Sequence, residues 1–141
     1  MATLTLEQAV RIADATLKRG RAAGYKPLTV AVLDAGGNVK ALHRDDGSDI
    51  LRPDIATGKA WGALGMGMSS RALGDLAAER PQFVASLAAL AAGRVVPAAG
   101  GVLLRTEDGA VIGAVGVSGD VSDNDEECAL AGVKAAGLTV G

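Results

Sequence analysis

Hydrophobic positions recur along the chain with two periods, and the switches between them mark out the elements. Leu6, Ala9, Val10, Ala13 and Leu17 stand at helical spacing. Thr5 with Gln8 three residues later predicts a capping box at the start of that helix. Lys18, Arg19 and Arg21 gather near its end, where they complement the dipole, and Gly24 stops it. A Val- and Leu-rich run over 28–33 predicts a strand. Asp34-Ala35-Gly36-Gly37-Asn38 is a turn, and 39–43 is a second strand, so the two form a hairpin. After a polar loop over 44–49, Pro53 suits the first turn of a helix carrying Ile55, Lys59, Ala60, Ala63 and Leu64. Gly58 and Gly62 lie four apart on one face of it, where another backbone can approach. The run Gly65-Met66-Gly67-Met68-Ser69-Ser70 interrupts the pattern. Further helices are predicted over 71–79 and from Pro81 to about Gly93, the latter with Phe83, Leu87, Leu90 and Ala91 on one face.

The last third predicts a second hairpin. Gly100-Gly101 leads into a strand over 102–105, Glu107-Asp108-Gly109 turns, and 111–117 is a buried strand interrupted by Gly113 and Gly116. A final helix spans about 123–136. Its first turn carries Asp123, Asp125, Glu126 and Glu127, which read as charges suited to a helix N-terminus. The order α-β-β-α-α-α-β-β-α, with two hairpins and no strand-helix-strand repeat, predicts an α+β domain with helices packed on an antiparallel sheet. A length of 141 residues allows one domain, 1–141.

Composition narrows the function classes. Hydrophobic residues at 49% and charged residues at 21% exclude a disordered chain. Aromatics are 2%, one each of Trp61, Tyr25 and Phe83, too few for a stacking platform for single-stranded nucleic acid. A net charge of −2 gives no general basic footprint for nucleic acid or an anionic membrane. A lone Cys128 and a lone His43 rule out an internal disulfide and a two-His metal site within one chain. No apolar run reaches about 18 residues, so no membrane span is expected. The N-terminus shows no signal-peptide pattern, and the expected location is the cytoplasm.

Five blocks, taken together, resemble one family. They are Leu33-Asp34-Ala35-Gly36-Gly37-Asn38-Val39, Arg44-Asp45-Asp46-Gly47, Ile55-Ala56-Thr57-Gly58-Lys59-Ala60, Ala99-Gly100-Gly101-Val102, and Gly113-Ala114-Val115-Gly116-Val117-Ser118-Gly119 before the acidic helix start. In this order they resemble the GlcG/HbpS family of haem-binding, or haem-degrading, domains, which also includes the C-terminal domain of PduO-type corrinoid adenosyltransferases. The resemblance covers about residues 5–138. It implies a profilin-like α/β sandwich with a central five-stranded antiparallel sheet, assembly as homo-oligomers, and haem as a cofactor of some members. The chain departs from the family pattern at Leu42-His43-Arg44, where an aromatic and a Met are common. It departs again at Ala99, where Pro often stands, and in the Gly-Met-Gly-Met-Ser-Ser-Arg run.

The candidate residues follow. Strand alternation puts His43 on one face with Val39 and Ala41, and Arg44 on the other with Lys40 and Leu42. His43 is a candidate haem-iron ligand or general acid/base, against a half-exposed strand-end residue. Arg44 and Asp46 either pair to order their loop or serve a ligand, Arg44 gripping a carboxylate or haem propionate. Lys59, among small neighbours, either lines a pocket as a carboxylate anchor and base or snorkels to water. Arg71 follows a Gly- and Ser-rich run suited to an anion. Gly100 and Gly101 mark close approach, of backbone or of a ligand. Asp34 is read as holding its own turn, and Cys128 as buried and inert. Two readings result. One is a haem or tetrapyrrole carrier, sensor or scavenger, with Arg44 or Arg71 on the propionates and His43 or a Met on iron. The other is a small enzyme on a carboxylated metabolite, with Lys59, Asp46 or His43 moving a proton. A non-catalytic oligomeric accessory protein is the third possibility.

Overall fold

A computed structural model describes residues 2–140; Met1 and Gly141, the ends of the expected domain, lie outside the described residues. The elements are α1 (Leu6–Ala23), β1 (Thr29–Asp34), β2 (Val39–Arg44), α2 (Arg52–Met66), α3 (Ser70–Glu79), α4 (Pro81–Leu90), β3 (Gly101–Arg105), β4 (Val111–Ser118) and α5 (Ser122–Ala135). Their order is the one the periodicity predicts. Local chemistry sets the ends. The Gln8 amide donates to Thr5 Oγ1 at 3.1 Å, and the Thr5 amide donates to Gln8 Oε1 at 3.0 Å, so the capping box is formed. Gly24 closes α1 at φ 73°, where a side chain would be strained.

The strands pair as β2-β1-β4-β3, antiparallel throughout. The five-stranded expectation is therefore corrected to four strands among the described residues. Beyond β3, Thr139 makes a single antiparallel bridge to Arg105, with amide–carbonyl distances of 2.8 and 3.0 Å, and one bridged residue is too short to count as a strand.

The two faces of the sheet are built differently. Val30 and Val32 of β1 and Val115 and Val117 of β4 point into a core with Ile12 and Leu17 of α1 and Cys128 and Val133 of α5. The other face presents Leu33, Leu103 and Ala114 to Ala60 and Ala63 of α2. There α2 comes down onto a floor without side chains. Gly101 and Gly116 are cross-strand partners. A Cβ on Gly116 would sit 1.9 Å from the Ala56 carbonyl oxygen, and one on Gly101 would sit 2.3 Å from that of Lys59. On the outer side of α2, Gly58 and Gly62 admit the segment 94–96, and the Val96 amide donates to the Gly58 carbonyl at 3.4 Å. Leu73, Ala91 and Val95 form a smaller cluster there with Trp61, Met66 and Met68 packed against it.

Candidate functional site

The register of the β1–β2 hairpin places His43 opposite Val30. Its ring therefore leaves the sheet on the α1 side, as alternation predicts. His43 Nδ1 lies 3.7 Å from Asp14 of α1, and the side chain is 36% exposed. Arg21, at the end of α1, donates to both carboxylate oxygens of Asp45 at 3.0 and 2.8 Å. That fork holds the loop after β2 against α1, and it keeps the Asp45 carboxyl below the usual carboxylate range. Arg44 donates to the Ser48 carbonyl at 2.8 Å, ordering the same loop from within. The result is an open cleft of about 600 Å³ between α1 and β2, lined by Asp14, Leu17, Lys18, Arg21, His43, Arg44, Asp45 and Asp46.

Lys59 belongs to a different place. It neither snorkels nor lines this cleft. It is 3% exposed, and its Nζ donates to the Val117 carbonyl at 2.9 Å and to Asp125 at 3.2 Å. Asp125 is 1% exposed, and its second oxygen accepts the Asp120 amide at 2.9 Å. Burial works against both charges, lowering the Lys59 pKa and raising that of Asp125, while each group's charge supports the other's. Gly100, at φ 131°, makes room for the pair, since a Cβ there would lie 2.9 Å from the Lys59 Nζ. The space over Gly100 and Gly101 is thus filled by α2 and the Lys59 side chain. Nearby, Arg52 donates to the Ser118 hydroxyl at 3.0 Å, and the Thr29 and Ser48 hydroxyls meet at 2.8 Å.

The structure therefore groups His43, Arg44 and Asp46 in one cleft, and Lys59, Gly100 and Gly101 around one buried ion pair. Val30, the partner of His43, faces the α1–α5 core, whereas the Gly116 floor meets α2, so the His43 ring and the helix that carries Lys59 lie on opposite faces of the sheet. Arg71 joins neither group. Its guanidinium donates to Glu126 at 3.1 Å and to Asp123 at 2.5 Å, tying α3 to α5. The acidic start of α5 accordingly does something other than cap. Val121 is the N-cap and offers no side-chain acceptor, and the acids reach across the fold: Asp125 to Lys59, Asp123 and Glu126 to Arg71, and Glu127 to Arg19 and Tyr25. Asp125 is the residue that the sequence reading missed as a partner. It sits three and four residues before the buried Cys128 and Ala129, on the inward face of α5, and that spacing was the available signal. Cys128 is buried, which pushes its thiol up to about 11. Among the described residues no group of three or more His, Cys, Asp or Glu side chains is placed to hold a metal ion.

A four-stranded antiparallel sheet, with α2 laid on its glycine pair and α1 and α5 on the opposite face, defines a single-domain α+β protein. The family is given by comparison with known proteins: the chain belongs to the HbpS-like family, described as haem-degrading protein HbpS-like, whose model matches residues 4–134. Three solved structures agree. The PduOC–haem complex is 26% identical, with a TM-score of 0.86 over 99% of this chain and 98% of that one. A double mutant of HbpS from Streptomyces reticuli is 30% identical, with a TM-score of 0.83 over 95% and 87%. Protein ORFY of Klebsiella pneumoniae is 27% identical, with a TM-score of 0.87 over 97% and 92%. Among curated proteins, none matches the sequence significantly.

Proposed function

We propose that this protein binds haem in the cleft between α1 and β2, as a carrier, sensor or degradation-linked member of its family. The observation that carries the reading is the likeness, over nearly the full length of both chains, to a structure determined as a haem complex. The donor set in the cleft fits the group. His43, the one imidazole of the chain, supplies a nitrogen for iron. Lys18 supplies a cation for a propionate, and Leu17 supplies an apolar wall; Arg44 borders the cleft from β2, but its side chain leaves on the other face and holds the Ser48 carbonyl. Bound haem would bring redox-active iron to the site. Arg71, held by Asp123 and Glu126, has its fork engaged away from this cleft and ranks behind Lys18 as a propionate partner. With few apolar side chains in one cleft, a second copy covering the exposed haem face completes the reading, and self-association belongs to it.

Proton transfer on a carboxylated metabolite is the weaker reading. Lys59, its intended base, spends its hydrogens on Val117 and Asp125 inside the fold, which leaves Asp46 and His43 to do the chemistry.

The test is a haem titration followed by absorbance, with wild type and His43→Ala. A saturable Soret shift at micromolar or tighter affinity, weakened at least tenfold in the variant, is the expected result. A shift that is identical in the variant removes His43 as the ligand. No saturable shift in wild type ends the haem reading.

A further inference from the structure

The outer face of the molecule carries a second recess, remote in character from the polar cleft. Between α2 and α4 lies a groove of about 210 Å³, lined by Trp61, Gly65, Met66, Leu87, Leu90 and Val95 among others. Its walls are apolar, and Leu90 is left 83% exposed at its edge. Glycines flatten the α2 side, and a Cβ added at Gly65 would meet nothing within 4 Å. The turn after α4 is unusual: Ala92 holds φ 54°, the one non-glycine residue with a positive φ among the described residues. That left-handed turn brings Arg94 back over Trp61, with its guanidinium carbon 4.0 Å from the ring centroid. Arg94 Nε donates to the Ala91 carbonyl at 2.8 Å, which fixes the side chain at the rim. Arg94 makes no ion pair among the described residues, whereas Arg19, Arg21 and Arg71 each pair with carboxylates.

An apolar trough with a positioned cation at its edge is complementary to a molecule with an apolar body and one negative end. We infer that this groove binds a small hydrophobic monocarboxylate. Its ring or short acyl chain lies among Met66, Leu87, Leu90 and Val95, and its carboxylate pairs with the outer nitrogens of Arg94. The volume is right for one ring, since an apolar cavity of about 150 Å³ takes benzene. Dispersion and area burial hold the body, and the guanidinium selects the acid over its neutral analogue.

The experiment uses the protein's own probe, because Trp61 is the one tryptophan of the chain and lines the groove. Wild type is titrated with 3-phenylpropionate and with 3-phenylpropanol, and Trp61 emission is followed. Saturable binding of the acid, at least tenfold tighter than the alcohol, is expected. Arg94→Gln should remove that preference while leaving the alcohol unchanged. Gly65→Phe should block both ligands by filling the groove. Should Gly65→Phe fail to fold, Leu90→Glu serves instead: it removes one apolar wall and sets a like charge beside the carboxylate, so it should weaken both ligands and the acid by the larger factor. No saturable response, equal affinity for acid and alcohol, or binding untouched by the charge and filling variants would each overturn the assignment.

Discussion

A lysine side chain at the Lys59 position, almost without access to water, needs a partner, and Asp125 is that partner. Removing one member strands the other charge. Lys59→Met is therefore expected to destabilise the fold by about 3–5 kcal/mol, while Lys59→Met with Asp125→Asn should recover a large part of it, because the asparagine still accepts the Asp120 amide. Urea unfolding of the two singles and the double, taken as a double-mutant cycle, measures this; simple additivity would rule the pairing out as an energetic unit. Acid sensitivity has its own residues. Asp45 is held down by the side-chain hydrogen bonds of Arg21, and Asp120 chiefly by the Lys26 amide. A carboxyl whose folded pKa is depressed contributes stability above the unfolded carboxylate range, and that contribution is lost as pH falls through the folded pKa. Asp125 runs the other way, since its raised pKa makes ionisation oppose folding as pH rises, an effect that Lys59 offsets. Arg21→Gln should therefore reduce the gap between urea midpoints at pH 7 and pH 3; an unchanged gap would separate Asp45 from the acid response. At this scale the sequence was legible where partners are neighbours, as in Thr5 with Gln8 or Asp34 accepting the Gly36 and Asn38 amides. It was not legible where they are far apart in the chain. The local rule for acids at a helix start hid that Asp125 answers to Lys59 and Glu126 to Arg71.

Among the elements, α2 is the one whose position depends on what is missing beneath it. Its carbonyls at Ala56 and Lys59 occupy the space that side chains on Gly116 and Gly101 would take. Gly116→Ala would push helix and sheet apart and should cost at least the ~1–3 kcal/mol typical of overpacking. Gly65, on the open side of the same helix, is the control. Gly65→Ala touches nothing and should be neutral or gain up to about 1 kcal/mol from helix propensity. Thermal melts of the pair test both, and equal effects would contradict the packing. The two hairpins and all five helices were readable from period and punctuation, because each is written within its own few residues. The strand order was not, because β1 chooses β4 across most of the chain, and no local pattern encodes that choice. The family resemblance suggested a fifth strand, and here that edge holds one bridge at Thr139.

The whole molecule leaves apolar surface near one edge of the sheet. Leu42 of edge strand β2 and Ile50 and Leu51 in the loop before α2 are exposed, Ile50 by 95%. Such side chains are the means for the self-association proposed with haem binding. Light scattering should find a species larger than the 14.0 kDa single chain, and Ile50→Asp with Leu51→Asp should shift it toward that mass. A wild type that stays at 14.0 kDa would remove the second copy from the haem reading.

The pairing of β1 with β4 also has a consequence for how the chain is made. Val30 and Val32 leave the ribosome long before the strand that pairs beside them, which carries Val115 and Val117, and α5 comes later still. Until they are made, the first hairpin has α1 and then α2 beside it but lacks its sheet partner β4 and the α5 half of the helix layer. Completion of the sheet and its core must therefore wait for β4 and α5 and pass through distant contacts, which makes it slow for a chain of this size. A nascent chain stalled before residue 111 should be protease-sensitive throughout, and one extended past the last helix should become resistant in a single step.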